Sequence, residues 1–289
     1  MNHLPKVRVL HVIRRLDIVG GAERLASEMA RLEASHDILI FDGLKPYFDL
    51  GTAKVFRAKS MLHAILLCIQ MHNKYDRFHL HLFPAIYFGL ILGSRAFIHE
   101  HSTSNVRRKY LFFRALEWFI YRRVRGVIAI SQATADSLIE WVGAGPKIYV
   151  VPNFVVTLPK PKKDLALERK KPLISMVASF RHPKRQDLLI RAMKYLPPSF
   201  HVMFAGSGPL LEPCQKLARN IGVESRVTFL GSVSDVATLY YHSDLCVLVS
   251  HWEGFGLVVL EASQFGTPSV VSDVEGLRDI SPDDGLIFR

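Results

Sequence analysis

Short apolar runs alternate with amphipathic stretches along almost the whole chain, and that alternation restricts the fold more than any single motif. A β-branched apolar run at 7–13 leads to the pair Gly20-Gly21 and then to a helical pattern over 22–32. Strands are predicted at 36–41, 78–82 and 97–100, with a helix at 61–72 before the second of them. A long helix is predicted over 106–125, followed by strands at 127–130 and 148–151 around a helix that Ser131 can cap. Strands separated by helical segments indicate parallel α/β architecture.

The alternation breaks once. Residues 158–172 hold three prolines, five lysines and one arginine with little periodicity, and read as a linker. Beyond it, strands are predicted at 173–178, 201–205, 227–230, 244–249 and 269–272, with helices at 186–195, at 210–221 and from 257 onward. The expected organisation is a Rossmann-like domain over 1–157, a linker over 158–172 and a second Rossmann-like domain over 173–289. The two domains are expected to face each other across a cleft, with ligands beyond the carboxyl ends of strands. A chain of 289 residues, 49% of them hydrophobic, is long enough for two modest cores.

The formal net charge is +11, which implies an anionic partner: membrane lipid, nucleic acid or a phosphorylated ligand. No apolar run has the length of a membrane-crossing helix, and the N-terminal run is too short for a signal peptide. Cys68, Cys214 and Cys246 are far apart and form no CxxC pair, so they are expected to be reduced, buried thiols of a cytoplasmic protein.

Residues 250–262 read SHWEGFGLVVLEA, followed by Gly266-Thr267-Pro268. The pattern is a strand end, a turn holding Glu253, Gly254, Phe255 and Gly256, and a helix opening at Leu257 and Val258. At about 1.5 Å rise per residue, Glu261 lies one turn after Leu257 on the same face. The free N–H groups of a helix start can hold a phosphate, and the glycines allow close backbone approach. One carboxylate at the turn and one deeper suit a phosphate-bearing ligand with hydroxyls on both sides. Two solvated glutamates on an ordinary strand–turn–helix are the plainer alternative.

Other segments offer weaker signals. Gly20-Gly21 lets backbone N–H groups approach a phosphate, but it is no GxGxxG, which argues against a dinucleotide oxidoreductase. Arg181 and Lys184 follow the first strand of the second half, where Lys184 can neutralise a leaving diphosphate; a solvated basic loop is the competing reading. Turn chemistry and ligand contact compete equally at Gly206-Ser207-Gly208-Pro209. His79 and His81 share one strand face, as do His99 and His101. With no matching carboxylate cluster and no HExxH helix, these read as polar residues at strand ends, and no metal is expected.

Within the predicted helix over 106–125, Phe112, Phe113, Leu116, Phe119 and Ile120 form a stripe expected to face the core. Arg114, Trp118, Tyr121, Arg122 and Arg125 form a second stripe, expected to be exposed. Its chemistry suits an anionic membrane interface, with a well-solvated helix as the equal alternative. No recognised nucleic-acid motif accompanies the charge, so nucleic acid is not expected as a partner.

Nearly the whole chain, most strongly residues 175–276 and clearly also 20–23 and 128–153, with 97–102 matching an active-site strand end, resembles the retaining nucleotide-sugar glycosyltransferases of the GT-B fold, family 4. The resemblance implies hexosyl transfer from a nucleoside-diphosphate sugar to a hydroxyl acceptor, with no cofactor and no metal. It places Glu253 on the donor sugar, Lys184 with Arg181 and the N–H groups near Leu257 and Val258 on the diphosphate, and Glu261 on the ribose hydroxyls. It places His101 on the sugar from the first domain, Gly20 and Gly21 near the donor phosphates, and Gly231-Ser232-Val233 at the base. The pattern of the family has an arginine five residues before the lysine, where this chain has Ser179. The basic charge and the aromatic–arginine stripe suggest an acceptor met on the inner face of the cytoplasmic membrane, a lipid-linked or saccharide molecule, and a bacterial envelope polysaccharide or lipopolysaccharide pathway is expected. Relatives continue with further helices, so the second domain is expected to be shortened at its C-terminus. A non-catalytic nucleotide-sugar-binding or partner subunit and a GT-B nucleotide-sugar epimerase are the alternatives.

Overall fold

The computed structural model describes residues 6–18, 20–161, 172–278, 280 and 286–288. The chain divides into two compact units, Met1–Phe154 and Val155–Arg289. The division falls a few residues before the expected boundary. Leu158 is already tied into the second unit, where its N–H donates to Gln264 Oε1 at 2.9 Å. Residues 162–171, most of the expected linker, lie outside the described residues.

In the first unit the order is β1 Val9–Ile13, α1 Gly21–Leu32, β2 His36–Ile40, β3 Val55–Arg57, α2 Met61–Gln70 and β4 Arg77–His81. There follow α3 Gly89–Leu92, β5 Ala96–Glu100, α4 Leu111–Arg123, β6 Gly126–Ala129, α5 Gln132–Val142 and β7 Ile148–Val150. The described strands form one parallel sheet in the order β3-β2-β1-β4-β5-β6-β7. Sequence order reverses between β1 and β4, and a crevice opens beyond strand carboxyl ends at such a reversal. One sheet face packs Leu10, Val12, Phe78, Leu80, Ile98 and Val127 against apolar residues of α2, α4 and α5. On the other face Ile13, Ile38 and Ile40 pack beneath Ala26 and Ala30 of α1. Ser131 caps α5 as expected, its Oγ accepting from the Thr134 N–H at 3.1 Å.

The second unit runs β8 Leu173–Val177, α6 Gln186–Ala192, β9 His201–Ala205, α7 Leu211–Asn220, β10 Val227–Gly231 and α8 Val236–His242. It continues with β11 Leu245–Leu248, α9 Leu257–Ser263, β12 Ser269–Ser272, α10 Glu275–Arg278 and β13 Leu286–Phe288. Its described strands form a second parallel sheet, β10-β9-β8-β11-β12-β13, with the reversal between β8 and β11. Phe180, Ile190, Val202 and Phe204 anchor its main core. Cys68, Cys214 and Cys246 are buried free thiols, and burial pushes them up to about 12, 11 and 12 respectively.

Among the described residues, β3, α3, α8, α10 and β13 have no counterpart in the stretches expected above. Strand β3 is three residues long, too short to show alternation, and α8 is a single seven-residue segment.

The segment 106–125 requires a correction. Val106–Lys109 is a separate 3₁₀ turn, and α4 begins at Leu111. Tyr121, expected on the exposed stripe, is 1% exposed and its hydroxyl donates to the Glu100 carboxylate. Phe112 and Phe119, expected in the core, are 72% and 49% exposed. The reason is Glu117, buried in the middle of the helix. Its carboxylate accepts from Arg107 Nε at 2.7 Å, Tyr87 Oη at 3.1 Å and Trp141 Nε1 at 2.7 Å. A buried carboxylate with three donors outweighs the burial of one more phenylalanine. The helix therefore turns Glu117, Ile120 and Tyr121 inward and presents Leu111, Phe112, Trp118 and Phe119 outward.

Candidate functional site

In the second unit, the loop after β8 and the loop after β11 are stapled together by backbone. The Arg185 N–H donates to the Val249 carbonyl at 3.0 Å and the His251 N–H to the Pro183 carbonyl at 2.8 Å. Lys184 and Ser250 form an antiparallel bridge. This places the Lys184 ammonium directly on the Glu253 carboxylate. The same carboxylate accepts from Ser250 Oγ at 3.4 Å. The two side chains are 19% and 18% exposed, so the pair sits at the rim, open to a ligand on one side. Residues 69 positions apart that the sequence nominated separately thus form one unit.

The turn holding Glu253 depends on its glycines. Gly256 is left-handed at φ 78°, and a Cβ there would lie 2.3 Å from Leu277 Cδ2. Gly254, Phe255 and Gly256 are buried and offer only backbone to a ligand, while Leu257 and Val258 are half-buried in the first turn of α9. Glu261, one turn deeper, is 3% exposed and accepts from the Tyr240 hydroxyl at 3.1 Å. Arg181 is exposed on the turn before Lys184, whose N–H donates to the Arg181 carbonyl at 2.9 Å.

The neighbouring turns are built by the same device. A Cβ on Gly206 would lie 2.0 Å from the Ala178 carbonyl oxygen, so only glycine lets these loops approach. The Gly206 N–H donates to the Gly231 carbonyl at 2.7 Å, and Ser232 Oγ donates to Ser207 Oγ at 3.0 Å. Gly231, the exposed Ser232 and the half-buried Val233 therefore continue one rim with the turn after β9.

In the first unit, Gly20 precedes α1, and its carbonyl accepts from the Arg24 N–H at 2.9 Å. Gly21 is the first residue of that helix. His101 follows the last residue of β5, and His81 Nδ1 lies 3.3 Å from its Nε2. His81 in turn meets His11 Nδ1 through Nε2 at 3.0 Å, and His11 Nε2 meets His36 Nδ1 at 3.0 Å. His79 and His99 stack beside this row, with ring centroids 5.0 Å apart. Burial, first, and neighbouring imidazoles hold His11, His79, His81 and His99 well below the usual range. Burial and then His79 lower His101 to about 3. The strand-face pairs were legible in the sequence, but His11 and His36 were missed. Their alternation within β1 and β2 was a signal, but only strand order says that these strands adjoin β4.

Of the expected exposed stripe on α4, Arg114 and Trp118 are on the surface, and Arg125 is exposed just beyond the helix. The Arg122 guanidinium lies 4.2 Å from the Trp118 ring centroid. Arg122 also donates to the Val142 carbonyl at 3.2 Å, which anchors it. No helix among the described residues is long and apolar enough to cross a membrane.

The family described as Glycosyltransferase Family 4 matches residues 19–157, and that described as Glycosyl transferases group 1 matches residues 159–286. This chain belongs to glycosyltransferase family 4. The fold agrees. An Anabaena HepE structure in complex with UDP and glucose superposes with a TM-score of 0.86 at 21% identity, covering 98% of this chain and 85% of that one. WaaG, described as a glycosyltransferase involved in lipopolysaccharide biosynthesis, superposes at 0.73 with 17% identity, covering 97% and 85%. These likenesses establish the GT-B fold. Among curated relatives, an Escherichia coli enzyme named UDP-Gal:alpha-D-GlcNAc-diphosphoundecaprenol alpha-1,3-galactosyltransferase is 27% identical over 94% of this chain and 80% of its own. The lipopolysaccharide core mannosyltransferase LpsB of Rhizobium meliloti is 33% identical over 59% of this chain and 52% of its own. For the Bacillus anthracis N-acetyl-alpha-D-glucosaminyl L-malate synthase the figures are 29%, 53% and 43%. The chain thus spans about half the length of several of the curated relatives it matches.

Proposed function

We propose that this family 4 chain transfers a hexose from a nucleoside-diphosphate sugar to a hydroxyl acceptor with retention of anomeric configuration. The observation that carries the reading is the Lys184–Glu253 pair at the strand ends of the second sheet. It joins a cation suited to a leaving diphosphate and a carboxylate suited to an oxocarbenium-like sugar. Lys184, with Arg181, takes the diphosphate. Glu253 takes the sugar, Glu261 the ribose, and the backbone of Gly231-Ser232-Val233 the base. In the first unit, Gly20 and Gly21 are assigned to the donor phosphates and His101 to the sugar. Transfer is assigned to these groups without a metal in the donor site, as the sequence has no DxD motif.

The solved relative binding UDP and glucose and the relative named for a UDP-Gal donor support a UDP-sugar. The relative named for a diphosphoundecaprenol acceptor supports a lipid-linked acceptor of an envelope polysaccharide pathway, reached on the cytoplasmic side of the membrane. The outward residues Leu111, Phe112, Trp118 and Phe119, with Arg114 and Arg125, support peripheral attachment to anionic lipid.

A panel of UDP-, GDP- and ADP-sugars tests the donor by thermal stabilisation, since a ligand of the native state raises the melting point. The expected result is stabilisation by UDP-sugars together with sugar transfer or slow donor hydrolysis. Stabilisation with neither activity would favour a non-catalytic partner subunit, a reading supported by Ser179 in place of an arginine. Isomerisation of the free donor would favour an epimerase. No stabilisation by any donor would end the proposal. Co-sedimentation with phosphatidylglycerol vesicles, lost at high salt, tests the membrane surface; absence of binding at low salt overturns it.

A further inference from the structure

The row of histidines on the first sheet is more than strand-end polarity. His11, His79 and His81 each offer one ring nitrogen, and these nitrogens all lie within 4.8 Å of one another. The three side chains are 0%, 6% and 0% exposed. They come from adjacent strands, since β1 pairs with β4 and His11 is in register with His79. We propose that His11, His79 and His81 form a binding site for a divalent transition-metal ion of the zinc class.

The first support is an unmet valence. Hydrogen bonds along the row account for both nitrogens of His11 and of His81. They leave His79 Nε2 buried with no partner. A buried polar atom with no partner destabilises the fold, and an ion at the convergence of the three rings would remove that cost. The second support is geometric. His11 Nδ1 and His81 Nε2 are 3.0 Å apart. Two nitrogens bound tetrahedrally at about 2.0–2.1 Å from zinc stand about 3.3 Å apart, so this pair need part by only a few tenths of an ångström, with the His79 nitrogen within 4.8 Å of both. The third support is the outer set of contacts. A ligating histidine usually gives its second N–H to an acceptor that fixes the ring. Here His11 Nε2 has His36 Nδ1 at 3.0 Å, and His81 Nδ1 has His101 Nε2 at 3.3 Å. The donor set is all imidazole with no carboxylate, which suits zinc, copper or nickel and not magnesium or calcium.

The ion would also set the proton positions. With Nδ1 of His11 and Nε2 of His81 on the metal, the remaining protons sit on His11 Nε2 and His81 Nδ1. His81 then donates to His101 Nε2, and His101 carries its proton on Nδ1. Under the proposed function, that N–H is the group His101 offers to the sugar. This consequence rests on that reading, whereas metal binding itself does not.

The test uses the full chain purified without a histidine tag, loaded with Zn²⁺ or Co²⁺ and freed of excess by gel filtration. The expected result is one zinc retained per chain by elemental analysis, and visible Co²⁺ absorption typical of nitrogen ligation at low coordination number. His79→Gln is expected to lose the metal while keeping the far-ultraviolet circular dichroism of the parent. His99→Gln, outside the triad, is expected to keep it. Substoichiometric zinc in the parent overturns the proposal, as does retention by H79Q equal to the parent. Loss in H99Q equal to that in H79Q overturns the assignment to this triad. If H79Q does not fold, the parent decides alone, because zinc must both stay bound and raise its melting temperature over the chelated protein. None of these readouts depends on glycosyl transfer, so failure of the site and failure of the proposed function are separable.

Discussion

The two units place their best-connected polar groups differently, although the second also buries Glu261 against Tyr240. The first buries them: Glu117 beneath three donors, Tyr121 on Glu100, and a row of imidazoles on the sheet face. The second keeps its ion pair at the rim, with Lys184 and Glu253 each about four-fifths covered and joined across two loops. A buried polar group must be satisfied inside the fold, so it contributes to which structure forms. A rim pair meets water on one side, so separating it costs the fold little and leaves both partners available to a ligand. Mutations in the Glu117 network should therefore register as lost stability, and mutations in the Lys184–Glu253 pair as lost chemistry.

Four substitutions test that contrast. Glu117→Ala is expected to have the largest effect, about 3–5 kcal/mol of stability, because it strands the Arg107 guanidinium without its carboxylate. The urea midpoint of the first unit measures it, and a loss within 1 kcal/mol of zero would place Glu117 among dispensable groups. Glu253→Gln should lower turnover about a hundredfold, near 2.7 kcal/mol in the barrier, with little change in donor affinity. Its stability should stay within about 1 kcal/mol of the parent, as befits a rim pair. Unchanged turnover would remove Glu253 from the chemistry. Gly206→Ala is expected to cost about 1–3 kcal/mol, since its φ of 144° and the Ala178 carbonyl both oppose a Cβ. This change tests whether the rim of the second unit depends on close loop contact. Ser131→Ala, which removes the cap of α5 and the 3.0 Å contact of Ser131 Oγ with the buried Thr134 Oγ1, should cost about 1–2 kcal/mol by thermal melting. A larger loss would mean that the buried Thr134 hydroxyl, left without its Ser131 partner, costs more than the cap itself.

Much of this was legible along the chain. The strands at 201–205 and 269–272 coincide with β9 and β12, and other predicted strands with observed counterparts lie within two residues at each end. Parallel strands covered on both faces read as continuous apolar runs, and that signal is local. Glu253 and Lys184 were each nominated from short motifs, because glycine turns and basic loops after strands are also local features. The contact between them was not legible, as it arises from strands β8 and β11 adjoining across the sheet reversal. The α4 segment misled for a related reason. Its sequence offers two stripes at helical spacing, one holding Phe112 and Phe119, the other Tyr121, and periodicity alone ranks the more apolar stripe as inward.

Two rounds of parallel α/β structure, the turns that need glycine, the cap at Ser131 and the charged residues at the strand ends were all readable from local sequence. These follow from short-range propensity and pattern. Tertiary structure alone decided which face of α4 turned inward, through the donors that gather on Glu117 from Arg107, Tyr87 and Trp141. It also decided that histidines from β1, β2, β4 and the end of β5 would meet in one row. Both outcomes depend on which strands and helices become neighbours, and the pairing of β1 with β4 spans a sequence separation that no local period encodes.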